Sequence, residues 1–338
     1  MKALCVQSAN TMVIEERPMP AIGAANEVLI KVKAGGICGS DIHIYHGASP
    51  VATYPRVIGH EIVGEIVETG KAVTGFLVGN RVIIDPVISC GNCYQCRSGR
   101  RNVCSKLKVR SVHVDGGYQE YLVVPQDNIY LIPEALSWEE AVMIEPFTIA
   151  EQVCTRAAIT KDDFVFIMGA GPVGISILKM VELYGATCVI SDVMDYKLAL
   201  AREYGADRTI HAKQENVQEE IRCLTEGNGA TVVIDAACTT TSFEQALTYV
   251  CAAGRVITLG FGKEPSAISQ LSITAREIDV RGSRLHNNKF PVVIDYFTSG
   301  KLQVKDMITH RFPFMQIHDA LRLVEDPAIE KGKVVLLF

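Results

Sequence analysis

The stretch FVFIMGAGPVGISILKMVELYGATCVISD, residues 164–192, decides the fold class. FVFIM is a short apolar run bounded by glycine, as expected of a strand buried on both faces, and TCVISD reads as a second one. Between them PVGISILKMVELYGA places Val173, Ile177, Val181 and Tyr184 at helical spacing. Gly169, Gly171 and Gly174 stand at the strand-to-helix turn as G-A-G-P-V-G, with Pro172 and Val173 inside the motif, and Asp192 closes the second strand. Glycines there let the backbone turn tightly and approach a pyrophosphate, and the helix N-terminus directs its free N–H groups at the negative charge. Asp192 would accept both ribose hydroxyls and repel a 2′-phosphate, so NAD is expected rather than NADP; Lys197 is a nearby cation that would soften that discrimination.

Outward from this unit, strand and helix keep alternating. MDYKLALAREYG, the segment from Val217 to Thr225 and TSFEQALTYVC read as helices, and RTIHA, TVVIDAA, GRVITLG and REIDVRGSR as strands. That order predicts an α/β domain with a doubly wound parallel sheet covered on both faces. The first half is different, with short β-type runs punctuated by glycine and proline (VLIKVKAGGI, IVGEIVETG, RVIIDPV, YQEYLVVP), which predicts a mostly antiparallel β unit. FPVVIDYFTSGKL reads as a helix ending at Gly300, and the last segment mixes a strand, a helix around Ala320 to Val324 and the terminal KVVLLF, which need not join the parallel sheet. The chain holds no internal repeat and no low-complexity segment.

Composition narrows the class. The 338 residues exceed one ordinary core, and 48% hydrophobic with 21% charged residues fits a globular enzyme or binding protein. A net charge of −5 gives no field that would favour nucleic acid, and Arg97, Arg100 and Arg101 read as solvated loop surface. MKALCVQSANTMVIEERPMP lacks the apolar core of a signal peptide, and the uncharged stretch from Phe164 to Leu178 is too short and too broken to span a membrane, so a cytoplasmic location is expected. The eleven cysteines are then metal ligands or packing thiols rather than disulfides. Cys5, Cys154, Cys188, Cys223 and Cys251 read as packing residues, and Cys238, ending a strand near the cofactor, is left open.

Cys90, Cys93, Cys96 and Cys104 are spaced C-x2-C-x2-C-x7-C in a loop-like stretch, which suits a closed tetrahedral zinc site stapling a lobe over about residues 88–106. A redox C-x-x-C would need two cysteines opening a helix, not four in a loop. Cys38, in GGICGSDIH, and the pair His60–Glu61 could instead leave a coordination position open for substrate; without other context, a lone Cys or His in a β-rich domain is more often a packing residue than a ligand.

GGICGSDIHIYHG, YPRVIGHEIVGEIVETG, the four-cysteine lobe, VHVDGGYQEYLVVP, MIEPF and GAGPVG, in this order, resemble the zinc-dependent medium-chain alcohol and polyol dehydrogenases over essentially the whole chain. The resemblance implies a GroES-like catalytic domain (residues 1–148, resumed at 289–338), a Rossmann NAD-binding domain (residues 149–288), and an active site in the cleft between them. It implies that Cys38 and His60 ligate a catalytic zinc, that Glu61 and Glu145 bind it directly or through water, and that Asp41 orients the histidine. In simple alcohol dehydrogenases a cysteine usually stands in the place of Glu145, so the chain departs toward the polyol branch. Ser40 and His43 match the hydroxyl and imidazole of a proton relay, with a surface histidine as the alternative for His43. Ala237, Leu259, Ser283 and Arg284 match positions that contact the cofactor. Two zinc ions per chain, NAD and a homodimer or homotetramer follow from the same resemblance.

DPVISCGNCYQC, VHVDGGYQEY, MIEPFTIA, IDAAC and SRLHNNKFPVVIDY narrow the likeness to hexonate 5-dehydrogenases, which oxidise sugar acids. Tyr45, His113, Arg284 and Asn287 are then polar candidates for the substrate; Arg284 could equally be a structural ion-pair partner or a cofactor contact. The expectation is an L-gulonate 5-dehydrogenase, with L-galactonate 5-dehydrogenase and sorbitol- or threonine-type activity as alternatives. A cofactor-binding metabolite sensor, or a zinc-ribbon interaction module fused to a nucleotide-binding domain, would be the non-enzyme readings.

Overall fold

The computed structural model describes residues 1–338. The chain divides into two compact units, Met1–Glu145 with Phe290–Phe338, and Pro146–Lys289. No helix is long and apolar enough to cross a membrane.

The first unit is built on a seven-stranded sheet. Its order is Ile129–Leu131, Arg81–Ile84, Glu61–Thr69, Glu27–Gly36, Lys333–Leu337, Ile308–Pro313, with Tyr121–Pro125 also paired to Glu27–Gly36. Glu27–Gly36 is the hub because EVLIKVKAGG is apolar on both faces for most of its length, so it can be flanked on every side. The terminal strand KVVLL lies antiparallel to it, with Val335 opposite Gly36, which places the end of the chain in this β unit and not in the parallel sheet. Leu4, Ile30, Ile58, Ile62, Ile66, Tyr118 and Leu336 form the centre of its core.

The second unit is the α/β domain that the alternation predicts. Its six-stranded parallel sheet runs Arg208–His211, Thr187–Asp192, Phe164–Met168, Ala230–Asp235, Val250–Thr258, Asp279–Gly282. The direction of strand addition reverses beside Phe164–Met168, so the glycine turn sits at the topological switch point where such sheets bind ligands. The helix Pro172–Tyr184 follows at once, with Pro172 in its first turn and Gly185 ending it at φ +72°.

Three expectations need correction, and one element was not anticipated. Val173 is exposed: it stands in the first turn, and the buried face is formed by Ile175, Ile177, Leu178, Met180 and Val181 instead. Cys223 is exposed because Val217 and Ile221 define the inward face of its helix, and a residue two places past Ile221 points away from it. Arg101 is not solvated surface; it donates to buried Asp85 at 2.9 Å and to the Val87 carbonyl at 2.5 Å, tying the cysteine loop to the β unit. The 14-residue helix Ile144–Ala157, longer than Pro172–Tyr184, was hidden in the sequence by Pro146, which is tolerated because it lies in the first turn.

Candidate active site

Cys38 ends the loop after the Glu27–Gly36 strand and caps the short helix Gly39–Tyr45 with extended backbone. Asp41, the third residue of that helix, accepts a hydrogen bond from the Cys38 N–H at 3.0 Å and another from the Gly59 N–H at 3.2 Å. One carboxylate thus ties together the two chain segments that carry Cys38 and His60. It is fully buried and also receives the Tyr118 hydroxyl at 3.2 Å, while that hydroxyl donates to the Gly36 carbonyl at 2.6 Å.

Cys38, His60 and Glu61 offer a thiol sulfur, an imidazole nitrogen and a carboxylate oxygen that all lie within 4.8 Å of one another. His60 turns Nδ1 toward Asp41 Oδ1 at 3.4 Å and Ser111 Oγ at 3.3 Å, which commits that nitrogen and leaves Nε2 for a metal. Burial works against charge on both members of the His60–Asp41 pair. Their attraction outweighs it, holding the imidazole well above its usual range with Cys38 adding to the effect, and the Asp41 carboxyl below its usual range with help from the Cys38 and Gly59 N–H groups. Thiolate, imidazole and carboxylate together form a donor set that fits zinc with a position left open.

Glu145 is buried at the start of the Ile144–Ala157 helix. A further residue, which no motif signalled, is Lys333: buried in the terminal strand, it makes an ion pair with Glu61. Burial would strip its proton, but Glu61, Cys38 and Glu145 together raise its pKa. The signal available in sequence was a lone lysine opening an otherwise apolar terminal strand, KVVLLF. Ser40 and His43 are both exposed and three residues apart on the Gly39–Tyr45 helix, hence on one side of it.

The four-cysteine loop is closed on itself. Its sulfurs approach at 3.4 Å (Cys93–Cys96), 3.7 Å (Cys93–Cys104) and 3.4 Å (Cys90–Cys104). These separations are far beyond a disulfide bond of about 2.05 Å and near the edge of a tetrahedron with zinc–sulfur bonds of about 2.3 Å. Backbone N–H groups of Cys96 and Ser105 pull the Cys93 thiol down to about 5, while burial and the neighbouring thiols push Cys96 up to about 11.

In the second unit Gly169 takes φ +100°, and a Cβ on Gly174 would lie 1.9 Å from the Gly169 carbonyl oxygen. A Cβ on Gly171 would meet nothing within 4 Å. Gly174 is therefore required by the fold itself, whereas the space above Gly171 is an open cradle of the kind a pyrophosphate fills. Asp192 spans the turn, accepting from the Ala170 N–H at 2.8 Å with one oxygen and from Val193 and Met194 with the other, with Lys197 at 3.8 Å. Ala237, Leu259 and Ser283 follow the carboxyl ends of the next three strands, and Ser283 continues the ladder to Thr258 at 3.0 Å.

The polar candidates for substrate are carried by different parts of the chain, Tyr45 and His113 in the first unit and Arg284 and Asn287 in the second. Tyr45 lines a surface depression with His318, Leu321, Arg322 and Glu325. His113 accepts the Val109 N–H at Nδ1, 3.1 Å, and Asn287 donates its N–H to Gln152 Oε1 at 3.2 Å. Arg284 stacks over the Phe261 ring, 4.9 Å from its centroid. Cys238 is exposed at the end of its strand with φ +58°.

Residues 24–134 match the alcohol dehydrogenase GroES-like domain and residues 172–299 match the zinc-binding dehydrogenase domain. The chain is 44% identical to the starvation-sensing protein RspB of Escherichia coli K12, over 100% of this chain and 99% of that one. It is 35% identical to the L-galactonate-5-dehydrogenase of the same strain, over 93% of this chain and 92% of that one. The crystal structure of the rspB protein of E. coli CFT073, described as a short chain alcohol dehydrogenase complexed with NADH, matches with a TM-score of 0.95 at 43% identity, over 100% of this chain and 99% of that chain. With both domain families in order and a relative matched from end to end, the chain belongs to the zinc-binding medium-chain alcohol dehydrogenase family, as the motif order implied.

Proposed function

We propose that this dehydrogenase oxidises a secondary hydroxyl of a hexonate with NAD, L-gulonate to D-fructuronate being the first choice. The observation that carries the chemistry is the cluster of Cys38, His60 and Glu61, three donors within 4.8 Å of one another, with Asp41 against the histidine. The 35% identity to L-galactonate-5-dehydrogenase supports a sugar acid, and it also keeps L-galactonate as the second substrate reading. In this reading the protein is cytoplasmic and a homodimer or homotetramer.

Cys38, His60 and Glu61, with Glu145 nearby in the chain's resemblance, would hold the catalytic zinc; Cys90, Cys93, Cys96 and Cys104 would hold a structural one. When bound, the catalytic zinc lowers the pKa of a substrate hydroxyl and the nicotinamide supplies the two-electron acceptor. Asp41 fixes the ring of His60 and its tautomer. Lys333 offsets carboxylate charge beside the donors. Ser40 relays the hydroxyl proton, giving up its own as it takes that one, toward His43, which is exposed on the same side of the helix and passes a proton to solvent. The glycine turn and the Pro172–Tyr184 helix N-terminus seat the pyrophosphate, and Asp192 takes the adenosine ribose, which selects NAD.

The test is NAD reduction by the purified protein with a panel of hexonates, hexitols and threonine. Turnover on L-gulonate exceeding every other compound is expected; no turnover with any sugar acid sinks the reading.

A further inference from the structure

We propose that Ser111 is a positioning residue for His60, its hydroxyl holding the imidazole in the plane that aims Nε2 at the catalytic zinc. The inference rests on the catalytic-zinc reading above and adds a residue to it.

Asp41 alone does not fix the ring. Its Oδ1 stands 3.4 Å from His60 Nδ1, longer than the roughly 2.7–2.9 Å of a tight charge-assisted bond. The carboxylate has no freedom to close that gap, because the Cys38 N–H at 3.0 Å and the Gly59 N–H at 3.2 Å hold it from two chain segments. A carboxylate only accepts, so the proton between the two groups is carried by Nδ1. Ser111 Oγ, 3.3 Å from the same nitrogen, is then a second acceptor for one N–H group. A ring with a single acceptor still pivots about the N–H···O line, whereas two acceptors from different chain segments set its plane as well.

The backbone shows what the side chain is for. Ser111 is fully buried and takes φ +72°, a left-handed conformation that glycine adopts freely and other residues adopt at a cost. What serine has there and glycine lacks is a hydroxymethyl group, and its oxygen meets the imidazole. The turn around it is braced. Val109 pairs with Val87, and the N–H groups of Arg110, Ser111 and His113 donate to the carbonyls of Pro86 at 3.0 Å, Val114 at 2.9 Å and Val109 at 2.8 Å. Beyond the turn, Gly116, Gly117 and Tyr118 donate to Val57, Gly59 and Ile58, the residues that lead into His60. Both ends of this strap are fixed to the β unit, one of them beside the segment that carries the ligand, so the place of Oγ is set by the fold itself.

The experiment uses full-length protein loaded with zinc, and in parallel with cobalt(II), as wild type, S111G, S111A and S111T. Zinc release to a chelator is followed in time, the phase that C38S lacks being the catalytic ion, and the cobalt d–d bands report donor geometry. S111G and S111A both lose the hydroxyl and should release that zinc at least about 10-fold faster, with shifted cobalt bands and the other zinc phase unchanged. S111G should melt no lower than S111A, since glycine relieves the left-handed backbone. S111T keeps the hydroxyl and should bring zinc release and the cobalt bands back toward wild type, although its β-branch lowers the melting temperature. Wild type that holds two zinc ions while S111G matches its release rate and cobalt bands sinks the Ser111 assignment alone. Loosening in S111A but not in S111G also overturns it, because the effect would then belong to backbone strain. Wild type that holds only the zinc of the cysteine loop sinks the catalytic-zinc reading and the assignment with it.

Discussion

The carboxylate of Glu61 and the ammonium of Lys333 meet over Gly36. Glu61 lies opposite Gly36 on one flank of its strand, and the terminal strand that carries Lys333 lies on the other. A Cβ on Gly36 would come within 1.9 Å of Glu61 Oε2 and 2.7 Å of Lys333 Cε, so the ion pair crosses the space that a side chain would take. Two consequences can be measured. Lys333→Met leaves Glu61 buried without its cation and should cost about 3 kcal/mol or more, read as a lower urea midpoint of the metal-free protein. Gly36→Ala forces the same pair apart and should cost a similar amount; unchanged midpoints in both variants would show that the pair contributes nothing.

The two cysteine groups should respond differently to substitution. Cys38→Ser removes one of three clustered donors while its chain segment stays tied through Asp41, so one zinc per chain and at least about 1,000-fold of kcat should be lost with little change in melting temperature. Cys104→Ser opens a loop in which Cys104 contacts both Cys90 and Cys93, and the melting temperature should fall along with the other zinc. Metal analysis and melting curves on both variants check this. Equal thermal losses would mean that neither cluster is specialised.

How much of this could be read from sequence depended on the range of the interaction. The glycine turn was legible because its strand, helix and acid are consecutive, so spacing in sequence is spacing in space. The same holds for the cysteine loop, whose four sulfurs come from fifteen consecutive residues. Lys333 was not legible, since it reaches Glu61 only through strand pairing between chain ends, and a lone lysine in KVVLLF carries no local mark. Arg101 was misread for a related reason: its partner Asp85 lies in another segment, and only the folded chain shows that the carboxylate is buried. Phe261 beside Arg284 is the same kind of case, two residues on successive sheet-edge loops.

Within the glycine turn, the positions should separate fold from cofactor. Gly174→Ala drives a methyl group against backbone and should destabilise by about 3 kcal/mol. Gly171→Ala adds a methyl group to open space, so the melting temperature should hold, but the methyl group occupies the pyrophosphate's approach and KM for NAD should rise at least about tenfold. Thermal melts and NADH titration distinguish them, and a Gly171→Ala protein that binds NADH normally would show that the pyrophosphate lies elsewhere.

Asp163 should account for part of the acid sensitivity of the parallel-sheet unit. It sits just before the Phe164–Met168 strand, pairs with Arg255, accepts the Thr231 hydroxyl at 2.7 Å and accepts the Thr160 N–H at 2.8 Å. Burial pushes its carboxyl up, but the bonds from Thr231 and Thr160 and the Arg255 charge outweigh burial and hold it below its usual value of 3.8. A carboxyl depressed by folding binds its proton more readily in the unfolded chain. Its stabilisation is therefore complete above about pH 4 to 5 and disappears as pH falls through the folded-state value. Asp163→Asn should destabilise the unit by about 1 to 3 kcal/mol at pH 7, because Arg255 loses its counter-charge. The gap between wild type and variant should close as pH is lowered from 5 toward 3, followed by urea unfolding at each pH. A gap that stays constant across that range would assign the effect to lost packing rather than to the charge on Asp163.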